Sequence, residues 1–236
     1  MATSGQFQVQ VHNTGVQAFT VLGVALDSAG FTRLPAAPLE TLFNRGATID
    51  LRTPYGPVIC QDDVAAEPAY AILDLLRADG AEEQVRVPMP SENDTVPNIH
   101  NEDCAAEVLA AAVDVTLSSL TVSRVDGVPT VTGELDLRRQ DSTESIAVAD
   151  MRGSVVLQVQ PAQALPAVMA AEESTLTVPI QIRQATCDPH YIADTKQPVL
   201  FPLWLSFDDR QQEYSEIPVD SEQRVFLLNY LGEVCN

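Results

Sequence analysis

Basic residues are scarce. Lysine and arginine number 13 against 33 aspartates and glutamates, the formal charge is -20, and Lys196 is the single lysine. So acidic a surface repels phosphate backbones and anionic headgroups, which excludes general nucleic-acid binding. Long apolar runs are missing as well. The richest, Ala105 to Val113 and Val199 to Leu205, are broken by Glu107 or Pro202. Both fall short of the about 20 residues that a membrane-crossing helix needs. The opening Met1-Ala2-Thr3-Ser4-Gly5 has neither the basic start nor the apolar centre of a leader. The expectation is that a signal peptide or N-terminal anchor has been removed ahead of a first strand at Phe7.

Catalytic patterns are equally sparse. There is no G-x-S-x-G elbow, no Walker A sequence and no dinucleotide-binding glycine pattern. Paired carboxylates of the glycosidase kind cannot be told from the acidic background. The four cysteines, Cys60, Cys104, Cys187 and Cys235, include no C-x-x-C pair, so zinc-ribbon and thioredoxin-like chemistry lack their ligands.

What is present is a unit written twice. GATIDLRTPYGPVICQ from Gly46 matches ESTLTVPIQIRQATCD from Glu173, each an alternating run that ends in a cysteine. AYAILDLLRADG from Ala69 faces VLFPLWLSFDDR from Val199, and EQVRVPMP from Glu83 faces EYSEIPVD from Glu213. NIHNEDCAAEVL and RVFLLNYLGEVC carry the second cysteine of each half. The front strands agree more loosely, FQVQVHNTG with TGELDLRRQ and AFTVLGVALD with ESIAVADMRG. A repeat one domain long argues for duplication and against a solenoid. The domains are expected at residues 6–110 and 111–236.

Each unit reads as short alternating strands bounded by Gly, Pro, Asn and Asp, with turns at Asn13-Thr14-Gly15, Ala78-Asp79-Gly80 and Val125-Asp126-Gly127. The predicted fold is all-β: two tandem immunoglobulin-like antiparallel sandwiches, each with one short terminal helix. In the second unit Asp220 caps that helix and Gln223 completes a capping box, with Val225, Leu228, Leu231 and Cys235 on one face. In the first, Asn98 caps a helix through Glu107 and Leu109. The repeat selects the pairing Cys60–Cys104 and Cys187–Cys235, one disulfide per domain, which implies an oxidising compartment outside the cytoplasm. Four buried free thiols are the alternative.

The histidines are His12, His100 and His190. His12 reads as a half-exposed strand position. His100 reads as a solvated residue of the acidic loop SENDTVPNIHNED, where neighbouring carboxylates favour its protonated form. His190 follows Cys187-Asp188-Pro189, where Asp188 is an N-cap and proline takes the first helical position. Alternatively, Asp188, His190 and Asp194 bind a divalent metal. Calcium suits an acidic extracellular protein. Its candidate clusters are Asp62, Asp63 and Glu67; Glu92, Asp94, Glu102 and Asp103; and Asp208, Asp209 and Glu213. None follows an EF-hand or glycine-rich calcium pattern, so no cofactor is expected. Asn93-Asp94-Thr95 matches a glycosylation sequon. Aromatic residues make up only 6%, with a local concentration at Phe201, Trp204, Phe207 and Tyr214. Trp204 and Pro202 alternate with Phe201, Leu203 and Leu205. A core tryptophan is expected; an outward Trp204 would mark a sugar- or protein-contact surface.

Cys187-Asp188-Pro189-His190, the strand Phe201-Pro202-Leu203-Trp204-Leu205 and the opening Asn13-Thr14-Gly15, Phe19-Thr20-Val21 and Val24-Ala25-Leu26 resemble a group of uncharacterised secreted or membrane-anchored actinobacterial proteins. The resemblance covers both units. It implies architecture and an extracellular or cell-surface location, and supplies no catalytic residue. Gln61 in the first unit departs from the motif. The expected function is a non-enzymatic binding or structural module of the cell envelope, whose partner is a protein or another envelope component. The alternatives are a metal-binding protein with its site near Asp188 and His190, or an accessory subunit of a membrane complex.

Overall fold

The computed structural model describes residues 5–61, 63–90, 94–208 and 212–235. The chain forms two antiparallel β-sandwiches that divide at Ala105/Ala106.

In the first unit the strands are β1 (Gln6–His12), β2 (Phe19–Asp27), β3 (Ala37–Phe43), β4 (Thr48–Pro54), β5 (Tyr70–Arg77) and β6 (Glu82–Pro88). Helix α1 (Thr95–Ala112) follows them. β1 and β4 make one sheet; β3, β2, β5 and β6, in that spatial order, make the other. Alternation decides what each strand buries. Phe7, Val9 and Leu51 turn inward to meet Val21, Val24, Phe43, Leu73 and Leu75, while Gln6, Gln8, Gln10, Asp50 and Arg52 stay outside.

The second unit contains β7 (Val113–Val125), β8 (Val128–Arg139), β9 (Ile146–Met151), β10 (Leu157–Pro161), β11 (Ala167–Met169), β12 (Thr175–Gln184), β13 (Pro202–Phe207) and β14 (Glu213–Glu216). A short helix, α2 (Pro189–Asp194), precedes β13, and α3 (Ser221–Val234) ends the unit. The sheets are β10-β12-β8-β7 and β11-β9-β13-β14. Two four-stranded antiparallel sheets thus make up this sandwich. The core is built from Leu135, Leu137, Ile146, Val148, Ile180, Ile182, Phe201, Leu203 and Leu205, all at or near complete burial. β7 and β8 meet in a tight hairpin in which Asp126 and Gly127 both have positive φ. That geometry suits an Asp-Gly pair and matches strand twist.

The equivalent strands lie in the same order in both units. β3-β2-β5-β6 corresponds to β11-β9-β13-β14, and β1-β4 corresponds to β8-β12; among the described residues β7 and β10 have no counterpart strand beside β1 and β4. Register refines the sequence match. Val9 lies opposite Leu51 and Leu135 opposite Val178, so Val9 and Leu135 are equivalent. The alignment of FQVQVHNTG with TGELDLRRQ is therefore one residue out, a slip that would exchange the inner and outer faces.

Both disulfides form with the expected pairing. Cys60 is bonded to Cys104 and Cys187 to Cys235, with Cα separations of 5.5 and 5.2 Å. Each ties a helix to the segment that leaves β4 or β12.

The helices correct two details. α1 starts at Thr95 and not after an Asn98 cap; Asn98 N–H donates to the Asp94 carbonyl at 2.8 Å inside the first turn. Pro97 is tolerated there because first-turn amides lack intrahelical acceptors. α3 has the predicted capping box: Asp220 accepts from Gln223 N–H at 2.8 Å, and Gln223 Oε1 accepts from Asp220 N–H at 3.0 Å. Its buried face, however, is Leu227, Tyr230 and Leu231, whereas Val225 is 57% and Leu228 39% exposed. Tertiary bonds set that rotation. Gln223 Nε2 donates to Leu117 O at 2.6 Å, and the Tyr230 hydroxyl donates to Pro129 O at 2.9 Å.

Candidate functional site

Strand β13 alternates strictly. Leu203, Leu205 and Phe207 are buried in the core, while Pro202, Trp204 and Ser206 face outward. Trp204 is thus not the core tryptophan that was expected. Phe201, Leu203 and Leu205 already fill the interior, and a period of two leaves residue 204 on the opposite face.

Pairing supplies its neighbours. Trp204 lies opposite Tyr214 on β14 and opposite Asp150 on β9. The Tyr214 ring meets the indole edge-on, with centroids 5.8 Å apart and planes at 72°. The Arg152 guanidinium sits 4.7 Å from the centre of the indole ring. Asp150 steers it through an Nε–Oδ2 contact of 3.1 Å. The Tyr214 hydroxyl donates to Glu216 Oε1 at 3.1 Å. On the same outward face Val168, 51% exposed, pairs with Ala147. The result is an aromatic pair with an arginine over it and carboxylates beside it. Such a surface combines apolar area, a cation and hydrogen-bond acceptors.

The equivalent sheet of the first unit closes the same kind of arrangement. The Arg86 guanidinium lies 3.1 Å from the Tyr70 ring centre and its Nε is 2.7 Å from Asp27 Oδ2. Ile72, directly opposite Arg86, is only 3% exposed although it belongs to the outward set.

The residues considered for metal chemistry are engaged otherwise. Asp188 caps α2 by accepting from His190 N–H at 2.9 Å. His190 Nε2 approaches Asp194 Oδ2 at 3.3 Å, with both side chains strongly exposed. Among the described residues no group of three His, Cys, Asp or Glu side chains is placed to hold a metal ion. Of the calcium candidates, Asp62, Glu92 and Asp209 lie outside the described residues, as does Asn93 of the sequon. Asp208 accepts from Ser145 N–H and Oγ at 2.9 and 3.0 Å, which ties the end of β13 to the start of β9.

His12 is an exposed strand residue whose Nδ1 contacts Thr48 Oγ1 at 2.7 Å. His100 is not solvated. It lies in α1, 8% exposed, edge-on to Phe31 at 5.6 Å, with Nε2 3.1 Å from the Ile59 carbonyl. Gly30 makes room for it, since a Cβ there would meet His100 Cδ2 at 2.7 Å. Phe31 also meets Tyr55 at 5.2 Å. Burial, then Asp103 and Glu102, push the Tyr55 phenol up to about 12.

Sequence reasoning singled out Trp204 and Tyr214 but not Arg152, Asp150 or the Arg86–Tyr70–Asp27 set. These are cross-strand neighbours, and only register reveals them.

The sequence matches no protein-family model and no curated protein. No helix among the described residues is long and apolar enough to cross a membrane.

Proposed function

We propose that this chain is a non-enzymatic binding or structural module working outside the cell, and that the outward face around Trp204 contacts its partner, a protein or another envelope component. The observation that carries this reading is Trp204 on a solvent-facing sheet, held between Tyr214 and Arg152. A large ring kept at the surface by pre-positioned neighbours provides contact area with little ordering cost on binding. Both disulfides support an oxidising location. The charge of -20 disfavours anionic partners.

The test is co-sedimentation with envelope fractions, comparing wild type and Trp204→Ala. Truncating an aromatic anchor costs about 2 kcal/mol or more, so binding should weaken about thirtyfold or beyond. Equal binding by a folded Trp204→Ala variant would exclude this face.

A further inference from the structure

The first unit leaves one strand edge with a self-complementary pattern. β4 pairs with β1 on one side only, and among the described residues it joins no other ladder. In the second unit the corresponding strand, β12, is guarded. β10 pairs with Ile180 to Gln184, and Pro179, which has no N–H to offer, stands where β4 has Arg52. β4 carries neither device in its exposed run. Its centre reads Asp50-Leu51-Arg52, with both charges exposed and Leu51 facing the core.

We propose that β4 pairs antiparallel with β4 of a second copy, with Leu51 on the two-fold axis. Leu51 then faces Leu51 of the copy, Ile49 faces Thr53, and each Asp50 faces an Arg52. Directly opposed opposite charges stabilise a strand pair and like charges oppose it. A shift of two residues would set Asp50 against Asp50 or Arg52 against Arg52, and a shift of one would exchange the faces. Only the Leu51-centred register satisfies both constraints. Gln10 Nε2 donates to Asp50 Oδ1 at 3.0 Å, which orients that carboxylate and leaves its second oxygen available. The two-fold operation makes the contact close on itself, so it yields a dimer and not a fibre. Among the described residues the β1 edge joins no second ladder either, but Gln6 to His12 includes no carboxylate, lysine or arginine to select a register. A seven-residue strand is a small interface, so the dimer is weak and depends on concentration.

Sedimentation equilibrium from micromolar to millimolar protein tests this at physiological ionic strength, where screening over about 8 Å limits repulsion between acidic copies. Wild type should self-associate. Asp50→Arg alone or Arg52→Asp alone sets like charges opposite each other twice, and should raise the dimer Kd about tenfold or more. An equimolar mixture of these two variants should recover a heterodimer. A chain carrying both Asp50→Arg and Arg52→Asp should recover the homodimer. Far-UV circular dichroism confirms that each variant is folded. Monomeric wild type throughout, dimerisation unaffected by the single reversals, or folded charge-swapped pairs that fail to reassociate would each overturn the proposal.

Discussion

Arg86 lays its guanidinium over the ring of Tyr70, 3.1 Å from the ring centre, and at the same time holds Asp27 at 2.7 Å. Three strands are tied by one side chain, because Tyr70 is on β5, Asp27 on β2 and Arg86 on β6. An arginine stem also shields apolar surface. Arg86→Ala should therefore destabilise the first unit more than Arg86→Met, which keeps a stem but loses the charge. Urea unfolding of the two variants measures the difference; equal midpoints would assign the whole effect to the charge.

The Cys187–Cys235 bridge closes a loop with a sequence separation of 48. Restricting the unfolded chain in this way contributes about 2–4 kcal/mol. Replacing both cysteines by serine should lower the melting temperature of the second unit by roughly 10 °C. Calorimetry of the wild type and the Cys187→Ser/Cys235→Ser variant measures the shift, and an unchanged transition would contradict the role given to this bridge.

Arg139 gathers loops at one end of the second sandwich. Nε donates to Glu173 O at 2.8 Å, and the terminal nitrogens donate to Ala170 O at 2.7 Å, Ser142 O at 3.3 Å and the Glu144 carbonyl. A lysine cannot reproduce that planar fork. Arg139→Lys should cost about 1–3 kcal/mol by leaving carbonyls short of donors. Hydrogen exchange should show faster opening around residues 142–144 and 170–173.

Tyr55 gives a pH dependence with a definite sign. Its folded-state value is raised to about 12 by burial and by the carboxylates of Asp103 and Glu102. An unfolded tyrosine titrates near 10. Below that value the phenol is protonated in both states and its contribution is fully present. As pH rises from about 10 to about 12 the unfolded chain loses the proton first, so stability falls across this window. Denaturant unfolding across the window should show that decline. Tyr55→Phe should flatten it, and an equally steep decline in that variant would assign the effect to other groups.

Much of this architecture is legible in the sequence because it is local or repeated. The Asp220–Gln223 capping box spans three positions, and Asp188-Pro189 marks the start of α2 by the same short-range logic. The disulfide pairing follows from two similar halves. What stays hidden depends on partners distant in sequence. Arg86 and Asp27 are 59 positions apart, and no local pattern joins them. Alternation divides β13 into two sets without saying which face takes Trp204. α3 contains apolar residues at more than one helical phase, so docking through Gln223 and Tyr230, and not periodicity, sets its buried face. His100 is misread because its acidic neighbours in sequence suggest solvent, whereas the groups that enclose it, Phe31 and the Ile59 carbonyl, are distant in sequence.

Trp204 is the single tryptophan of the chain, so no other tryptophan of the protein contributes to its emission. The most direct measurement is that emission during titration with the envelope fraction that the protein binds, taken as the difference from the same titration of a Trp204→Phe variant. If the outward sheet face is the contact surface, the emission shifts to the blue as the ring is dried, and the shift saturates together with binding. Saturable binding with an unchanged tryptophan spectrum would contradict the account.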